Sequence, residues 1–483
     1  MVHGKKKIRL GLILGMVLGI LFASLMAVRL GLFHRVSRLD PADTAAVAQR
    51  ETWMAIDQKD RRIGYAHRRL DPTQNGFTLT DTTTMRINTM GMVQDLSIET
   101  RATLNSDLSL KGFDFSLTSS LFSFQASGQV EGDALVVTMD GKQVPIALES
   151  PIFLSAGILD AAAGSKMTPG DTRTFSVFDP ATLGRRPVRI TLRGPETLQI
   201  DGKHLETRRF DVDFMGSAQS AWVDGQGNVI REKGFMDITL TRVTRAQALD
   251  GAPLSASQDL TRLVAVAADR HIAEPQRLTV LRLKVDGITN PLSLDGDRQR
   301  YRGGELTVRR EPVPDPDQVP SVVAAEFLMP APFIESDHPR ILETVGKIVS
   351  PDDRPLARVE KIMRWIHDNI QRRPVLSVPD AVQTLIHGMG DCNEHAVLFA
   401  AMARAAGIPA RIEAGLVYLR GNFYYHAWNS LYLGQWVTAD ALMTQLPADV
   451  THIRFVHGAA DRQIDLMQVI GKVRFSILEL SDD

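Results

Sequence analysis

A single cysteine, Cys392, stands among 483 residues. It follows Gly388, Gly390 and Asp391 and opens a helix-like run that stops at Gly407 and Pro409. Asp391 is a capping residue type, so Cys392 falls in the first turn. The unpaired amides and the dipole of that turn favour an anion, and the thiolate is expected to gain over the thiol. An amide beside the sulfur would also meet a developing oxyanion. Gly388 and Gly390 are expected to leave backbone room for a substrate. The competing reading is a buried, inert thiol, the usual fate of a lone cysteine. Val397, Leu398, Ala401 and Met402 already supply an apolar face further along the run. Cys392, at its entry, is surplus to that face.

A nucleophile needs a base, and the base needs an orienting acceptor. His426 lies 34 residues after Cys392, in YYHAWNSLYL, and Asp440 lies 14 residues later, in QWVTAD. Both fall on strand-like segments. Alternation places His426, Trp428, Ser430 and Tyr432 on one face. A two-residue loop at Gly434-Gln435 would pair Asp440 with Asn429, on the wrong face. A three-residue loop, Leu433 to Gln435, pairs it with Trp428, on the face of His426. The candidate catalytic residues are therefore Cys392, His426 and Asp440, and they predict the hairpin register. Glu394 and His395 beside Cys392 imitate zinc ligands, but Cys-x2-His without a second spaced pair is a poor zinc signal. Glu394 complements the helix dipole, and His395 lines the site or is buried. Trp428 and Trp436 read as sheet packing that could wall a cleft. Gln383 could donate to an oxyanion, but nothing in the sequence places it near the sulfur. No metal and no cofactor is expected.

The elements that must carry these residues follow a clear order. Arg354 to Gln371 spaces Val359, Ile362, Met363, Ile366 and Ile370 as one helical stripe, with Asp352 and Asp353 as caps. A short helix ends at Gly388. After the Cys392 helix, ARIEAGLVYL, NFYYHAWNSLYL and WVTAD read as antiparallel strands. Residues 321–483 are thus an α+β domain, helices first and sheet after. Before it, prolines 312, 314, 316 and 320 stiffen residues 311–320 into a linker. Residues 45–250 alternate apolar and polar side chains between turn signals such as Asp140-Gly141 and Asp224 to Asn228. They predict a large antiparallel β-rich domain, covered in part by a short helix near SPIFLSAGILDAAAG. Residues 251–310 continue as a β-rich extension.

At the N-terminus, Lys5 to Lys7 and Arg9 precede 19 uncharged residues, Leu10 to Val28. A bilayer core takes roughly 20, and the apolar region of a cleaved signal peptide runs only about 7–15. Residues 1–38 are read as an uncleaved anchor with a cytoplasmic N-terminus. The chain would be a single-pass membrane protein with its later domains on the periplasmic side. The 55 basic and 56 acidic side chains nearly cancel, which gives no electrostatic footprint for nucleic acid. One cysteine allows no internal disulfide.

GDCNEHA, HAWNSLYL and WVTAD resemble the three core motifs of the transglutaminase-like superfamily, over about residues 321–460. The resemblance implies a papain-like α+β fold and a bacterial membrane-anchored protein with a cysteine peptidase-like domain. It also implies Cys392 as nucleophile, His426 as base and acid, and Asp440 as orienter. A papain-type spacing from Cys to His is much longer, about 130 residues or more. Animal cross-linking members of the family carry calcium sites, and no acidic calcium loop is evident here. The expected function is thiol-dependent acyl transfer on amide or peptide bonds of a peptide or protein in the cell envelope, with hydrolysis ahead of cross-linking. The alternative is a non-catalytic envelope scaffold that uses the cleft and the β-rich region for binding. Oligomeric state is not legible.

Overall fold

The computed structural model describes residues 49–214, 217–250, 254–288, 292–312, 325–458 and 460–482. The anchor expected over residues 1–38 and most of the proline-rich linker lie outside them. No described helix is long and apolar enough to cross a membrane.

Fifteen strands between Arg50 and Val243 form one sheet among the described residues. β1 (Arg50–Gln58) pairs antiparallel with β15 (Ile238–Val243), with Trp53 opposite Val243. From this central pair the chain meanders outward on both sides, eight strands one way and seven the other. The hairpin at Asp140-Gly141 has both residues at positive φ (45° and 76°), the twist that a two-residue turn between strands prefers. Inward-facing residues alternate along each strand and meet in one core. Phe113 and Phe178 lie ten places apart in the sheet order, yet their rings are 5.6 Å apart. The sheet therefore curls over itself. The expected short helix, α1 (Ile158–Gly164), plugs this core with Ile158, Leu159, Ala161 and Ala162. Its buried Asp160 is paired with Arg50 at 2.9 Å. Each fully buried phenylalanine here, such as Phe175 or Phe210, contributes about 1.5–3 kcal/mol.

The C-terminal half is built on a central helix, α2 (Cys392–Ala405), which is buried along almost its whole length. A helix apolar on all sides belongs inside a domain. The predicted helix Pro355–Asn369 packs Val359, Ile362, Met363 and Ile366 into the same core as α2. Its cap is not an aspartate, however. Arg354 takes the cap position without a side-chain bond. Asp353 is used instead by Lys361 (2.6 Å) and by the Ser350 amide (2.6 Å). A tertiary ion pair thus outcompetes the local cap.

Against α2 lies a sheet made from Ala410–Leu419, Asn422–Tyr432, Trp436–Ala439 and Ile453–His457. A second, four-stranded sheet combines Val280–Asp286, Gln299–Arg302 and Glu305–Arg309 with the C-terminal strand Arg474–Ser481. These strands share a core with Leu416, Phe423, Ile453 and Phe455. The strands read from sequence as an extension of the β-rich region therefore hydrogen-bond to the end of the chain. Arg298, buried, reaches across to Thr438 Oγ1 and to the carbonyls of Ala448, Asp449 and His452 at 2.7–3.0 Å. Glu311 answers it at 3.1 Å.

Candidate active site

The N-terminus of α2 is closed by a reciprocal capping box. The Asn393 amide donates to Asp391 Oδ1 (2.9 Å) and the Asp391 amide donates to Glu394 Oε2 (2.9 Å). Gly390 is needed for this box. A Cβ added there would sit 2.2 Å from the Cβ of Glu394. The space expected to admit a substrate is thus filled by Glu394. Gly388 ends the preceding helix at φ 63°, the left-handed cap that glycine adopts without strain.

Cys392 is 8% exposed. The backbone N–H of Ala427, the residue after His426, faces the Cys392 sulfur and favours the thiolate. That amide lies on an open notch of its strand. Val266–Ala267 covers residues 422–423 of this edge and Trp436–Ala439 covers 429–432, so along this edge no described strand pairs with the stretch between, whose other edge pairs with Ala410–Leu419. The expected gain of the thiolate is overturned. Burial, reinforced by the Asp391 carboxylate, pushes the Cys392 thiol well above the usual cysteine range.

The hairpin register follows the three-residue loop. Tyr432 pairs with Trp436, Ser430 with Thr438 and Asn429 with Ala439, which sets Asp440 opposite Trp428. His426 Nε2 and Asp440 Oδ2 are 2.6 Å apart, with exposures of 7% and 1%. A carboxylate only accepts, so Nε2 donates the proton of this bond and Nδ1 is left outside it. Asp440 Oδ1 accepts from the Met443 amide at 2.9 Å. Burial alone would raise Asp440, but attraction to the His426 ring and the hydrogen bond from it, with a second bond from His452, hold it well below the usual carboxylate range.

His452 escaped the sequence reading. Its Nε2 lies 3.0 Å from the same Asp440 Oδ2, and its Nδ1 lies 3.3 Å from the Asp449 carbonyl and 3.4 Å from Asp449 Oδ1. A lone histidine in VTHIRFV carries no spacing signal; its only hint was a polar residue inside an apolar run. Trp428 walls the site. Its ring is 6.0 Å from His426 in a stacked arrangement and 5.2 Å from His452 edge-on. Its Nε1 donates to the buried Glu413 at 3.0 Å. Trp436 lies outside, under the Arg411 guanidinium at 4.0 Å. Gln383 and Asp140, at a turn of the large sheet, line a cavity of about 600 Å³ between the two halves. His395 is buried, and Nδ1 donates to the Asp391 carbonyl at 2.7 Å.

His426, Asp440 and His452 offer ligand atoms within 4.8 Å of one another. The separations of 2.6 and 3.0 Å are hydrogen-bond lengths. An ion bound at about 2.0–2.2 Å to each atom would need them further apart. A second group, Asp297, Glu413 and His457, already faces the guanidiniums of Arg411 and Arg454, which repel a cation.

Residues 343–441 match the model of the transglutaminase-like superfamily. They form a transglutaminase-like domain. The match ends at the residue after Asp440 and takes in Cys392, His426 and Trp428. Over 101 residues, 20% of the chain, the sequence is 36% identical to an uncharacterized protein of Haemophilus influenzae. The chain spans 27% of that relative's length. Among solved structures, it is similar to a proposed cysteine protease from Cytophaga hutchinsonii (18% identity, TM-score 0.29, covering 42% of this chain and 84% of that one). It is also similar to the periplasmic domain of TgpA from Pseudomonas aeruginosa (17% identity, TM-score 0.24, covering 37% and 86%). A beta-barrel-like protein of a domain of unknown function from Brucella abortus is similar at 9% identity and TM-score 0.32, covering 41% of this chain and 95% of that one.

Proposed function

We propose that this chain is a membrane-anchored thiol acyl-transfer enzyme acting on amide or peptide bonds of envelope peptides or proteins. The observation that carries the reading is a juxtaposition. His426 Nε2 is bound to Asp440 at 2.6 Å, while the Cys392 sulfur rests on the amide of the next residue along the strand. In this reading the sulfur attacks the carbonyl carbon as its proton passes to His426 Nδ1. The tetrahedral oxyanion gathers against the Cys392 amide, one of the donors a helix terminus leaves free. The C–N bond then breaks, Nδ1 returns the proton to the leaving amine, and a thioester remains. Water, deprotonated by the same nitrogen, hydrolyses it. Asp440 stabilises the ring while it holds the extra proton. Hydrolysis is placed ahead of cross-linking because the sequence carries no acidic calcium loop. Leu10 to Val28 serves as the anchor, with the β-rich domain and the transglutaminase-like domain on the outer side.

Trapping the acyl-enzyme tests this. The full chain is incubated with peptide amides, quenched in acid and read by intact mass and peptide mapping. The reading expects an adduct on Cys392 that hydroxylamine releases and that is lost in Cys392→Ala. Hydrolysis that persists in Cys392→Ala, or a wild-type chain that neither turns over nor forms an adduct, removes it. The burial of Cys392 favours a second reading, a non-catalytic scaffold that binds an envelope component in the same cleft. Peptide binding equal in wild type and Cys392→Ala, without turnover, is its signature.

A further inference from the structure

His452 is fully buried, at 0% exposure, and the atoms around it decide its protonation. Nε2 faces Asp440 Oδ2 at 3.0 Å. Nδ1 faces the Asp449 carbonyl at 3.3 Å and Asp449 Oδ1 at 3.4 Å. All three are oxygens that only accept. A neutral imidazole has one donor and one acceptor nitrogen, so either neutral tautomer would aim a lone pair at an oxygen in a dry interior. Only the doubly protonated ring satisfies both ends.

We propose that His452 is an imidazolium at neutral pH and a positioning residue for His426, acting through the shared Asp440 carboxylate. This rests on the reading that Cys392 and His426 work together. Asp440 Oδ2 takes one hydrogen bond from each ring, and Oδ1 is held by the Met443 amide. The carboxylate is thus fixed by three donors, and His426 is fixed with Nδ1 free. The charges balance in a useful way. Asp440 and Asp449 contribute two negative charges and His452 one positive, so the group carries a net charge of −1 at rest. The proton of Cys392, when His426 accepts it, brings the group to zero. Without the cation the same group would hold −2, and both His426 and the Cys392 thiol would bind their protons more tightly.

The other groups facing His452 are accounted for. Trp428 meets it edge-on and has no charge. The Arg298 guanidinium donates to the His452 carbonyl at 2.9 Å, but Glu311 pairs it at 3.1 Å. The ring's own balance agrees with the geometry. Burial opposes its charge, yet the hydrogen bonds with Asp440 and Asp449 outweigh burial and lift it to about 9.

The test pairs a ring measurement with a rate. In the full chain labelled with 15N-histidine, the His452 ring is expected to show two protonated nitrogens at pH 7. A neutral ring there overturns the proposal, and this holds even if no variant folds. In folded His452→Gln, the pH profile of Cys392 alkylation by iodoacetamide is expected to move about one unit higher, a roughly tenfold slower reaction at pH 7. A residue that merely fills space would not move that profile. An unmoved profile, with the rate still dependent on His426, sinks the positioning role alone. A wild-type rate that His426→Ala leaves unchanged sinks the underlying reading instead, and the positioning role with it.

Discussion

Cys392 sits where a helix terminus would be expected to make a thiolate, and burial reverses that expectation. Its reactivity at neutral pH then depends on a base rather than on its own ionisation. Removing the base makes this visible. In His426→Ala, alkylation by iodoacetamide at pH 7 is expected to fall at least about a hundredfold, the lower range of general-base assistance. The residual rate should keep climbing above pH 9, because the remaining path needs a thiolate that burial disfavours. A midpoint at or below about 8.5, the free-thiol value, would contradict the burial argument. At this scale the residue types and spacings of Cys392, His426 and Asp440 were legible, because a nucleophile, a base and a carboxylate recur in a readable order. His452 was not, because its partners, Asp440 and Asp449, are set by a loop whose course no periodicity announces. Gly390 was misread for a related reason. What Gly390 makes room for is the Cβ of Glu394, a contact that exists only once the cap is folded.

At the level of elements, the hairpin and the helix cap carry the site. The hairpin register was readable from the loop Leu433 to Gln435 and the face of His426, and the ladder places Asp440 opposite Trp428 as that loop requires. The cap of α2 was readable from Asp391. The state of its other member was not. Glu394 accepts from the Asp391 amide and bonds Ser377 at 2.5 Å. Burial, with Asp391 beside it, raises its carboxyl well above the usual range. A raised carboxyl contributes stability that is full below the ordinary glutamate range and is lost as pH climbs towards the folded value. Glu394→Gln mimics the protonated acid without that loss. It is expected to melt within about 1 kcal/mol of wild type near pH 5 and to gain on wild type as pH rises. Glu394→Ala should cost about 2–3 kcal/mol near pH 5, since it leaves buried partners unpaired, and less as pH rises and wild type loses what the raised carboxyl contributes. A Gln variant that loses ground with rising pH would show that Glu394 is charged.

On the scale of the whole molecule, the strands of Val280–Arg309 bind the site to the rest of the chain. Alternation made them legible as strands but not their partner, because pairing with Arg474–Ser481 spans nearly 200 residues. Similarly, the antiparallel nature of the large sheet was readable, while its curl, shown by Phe113 against Phe178, was not. Two outcomes follow. Arg298→Ala strips donors from the carbonyls of Ala448, Asp449 and His452 and leaves Glu311 unpaired. It should cost about 3–5 kcal/mol in urea unfolding, and Arg298→Lys should recover little, because one ammonium cannot replace the fork. A loss under about 1 kcal/mol would show the contacts to be dispensable. A chain beginning at residue 321 lacks three of the four strands of the small sheet and should fail to show a cooperative melt, whereas one beginning at residue 254 retains them and should melt cooperatively. Equal melts for both would remove the structural role assigned to those strands.

The account stands most directly on the rate at which iodoacetamide alkylates Cys392 at pH 7 in wild type, His426→Ala, Asp440→Ala and the double variant. If the three side chains act as one unit, each single change slows the reaction and the double is no slower than His426→Ala alone. Rates equal to wild type in all variants, or losses in the double that multiply as if the two changes were independent, would contradict it.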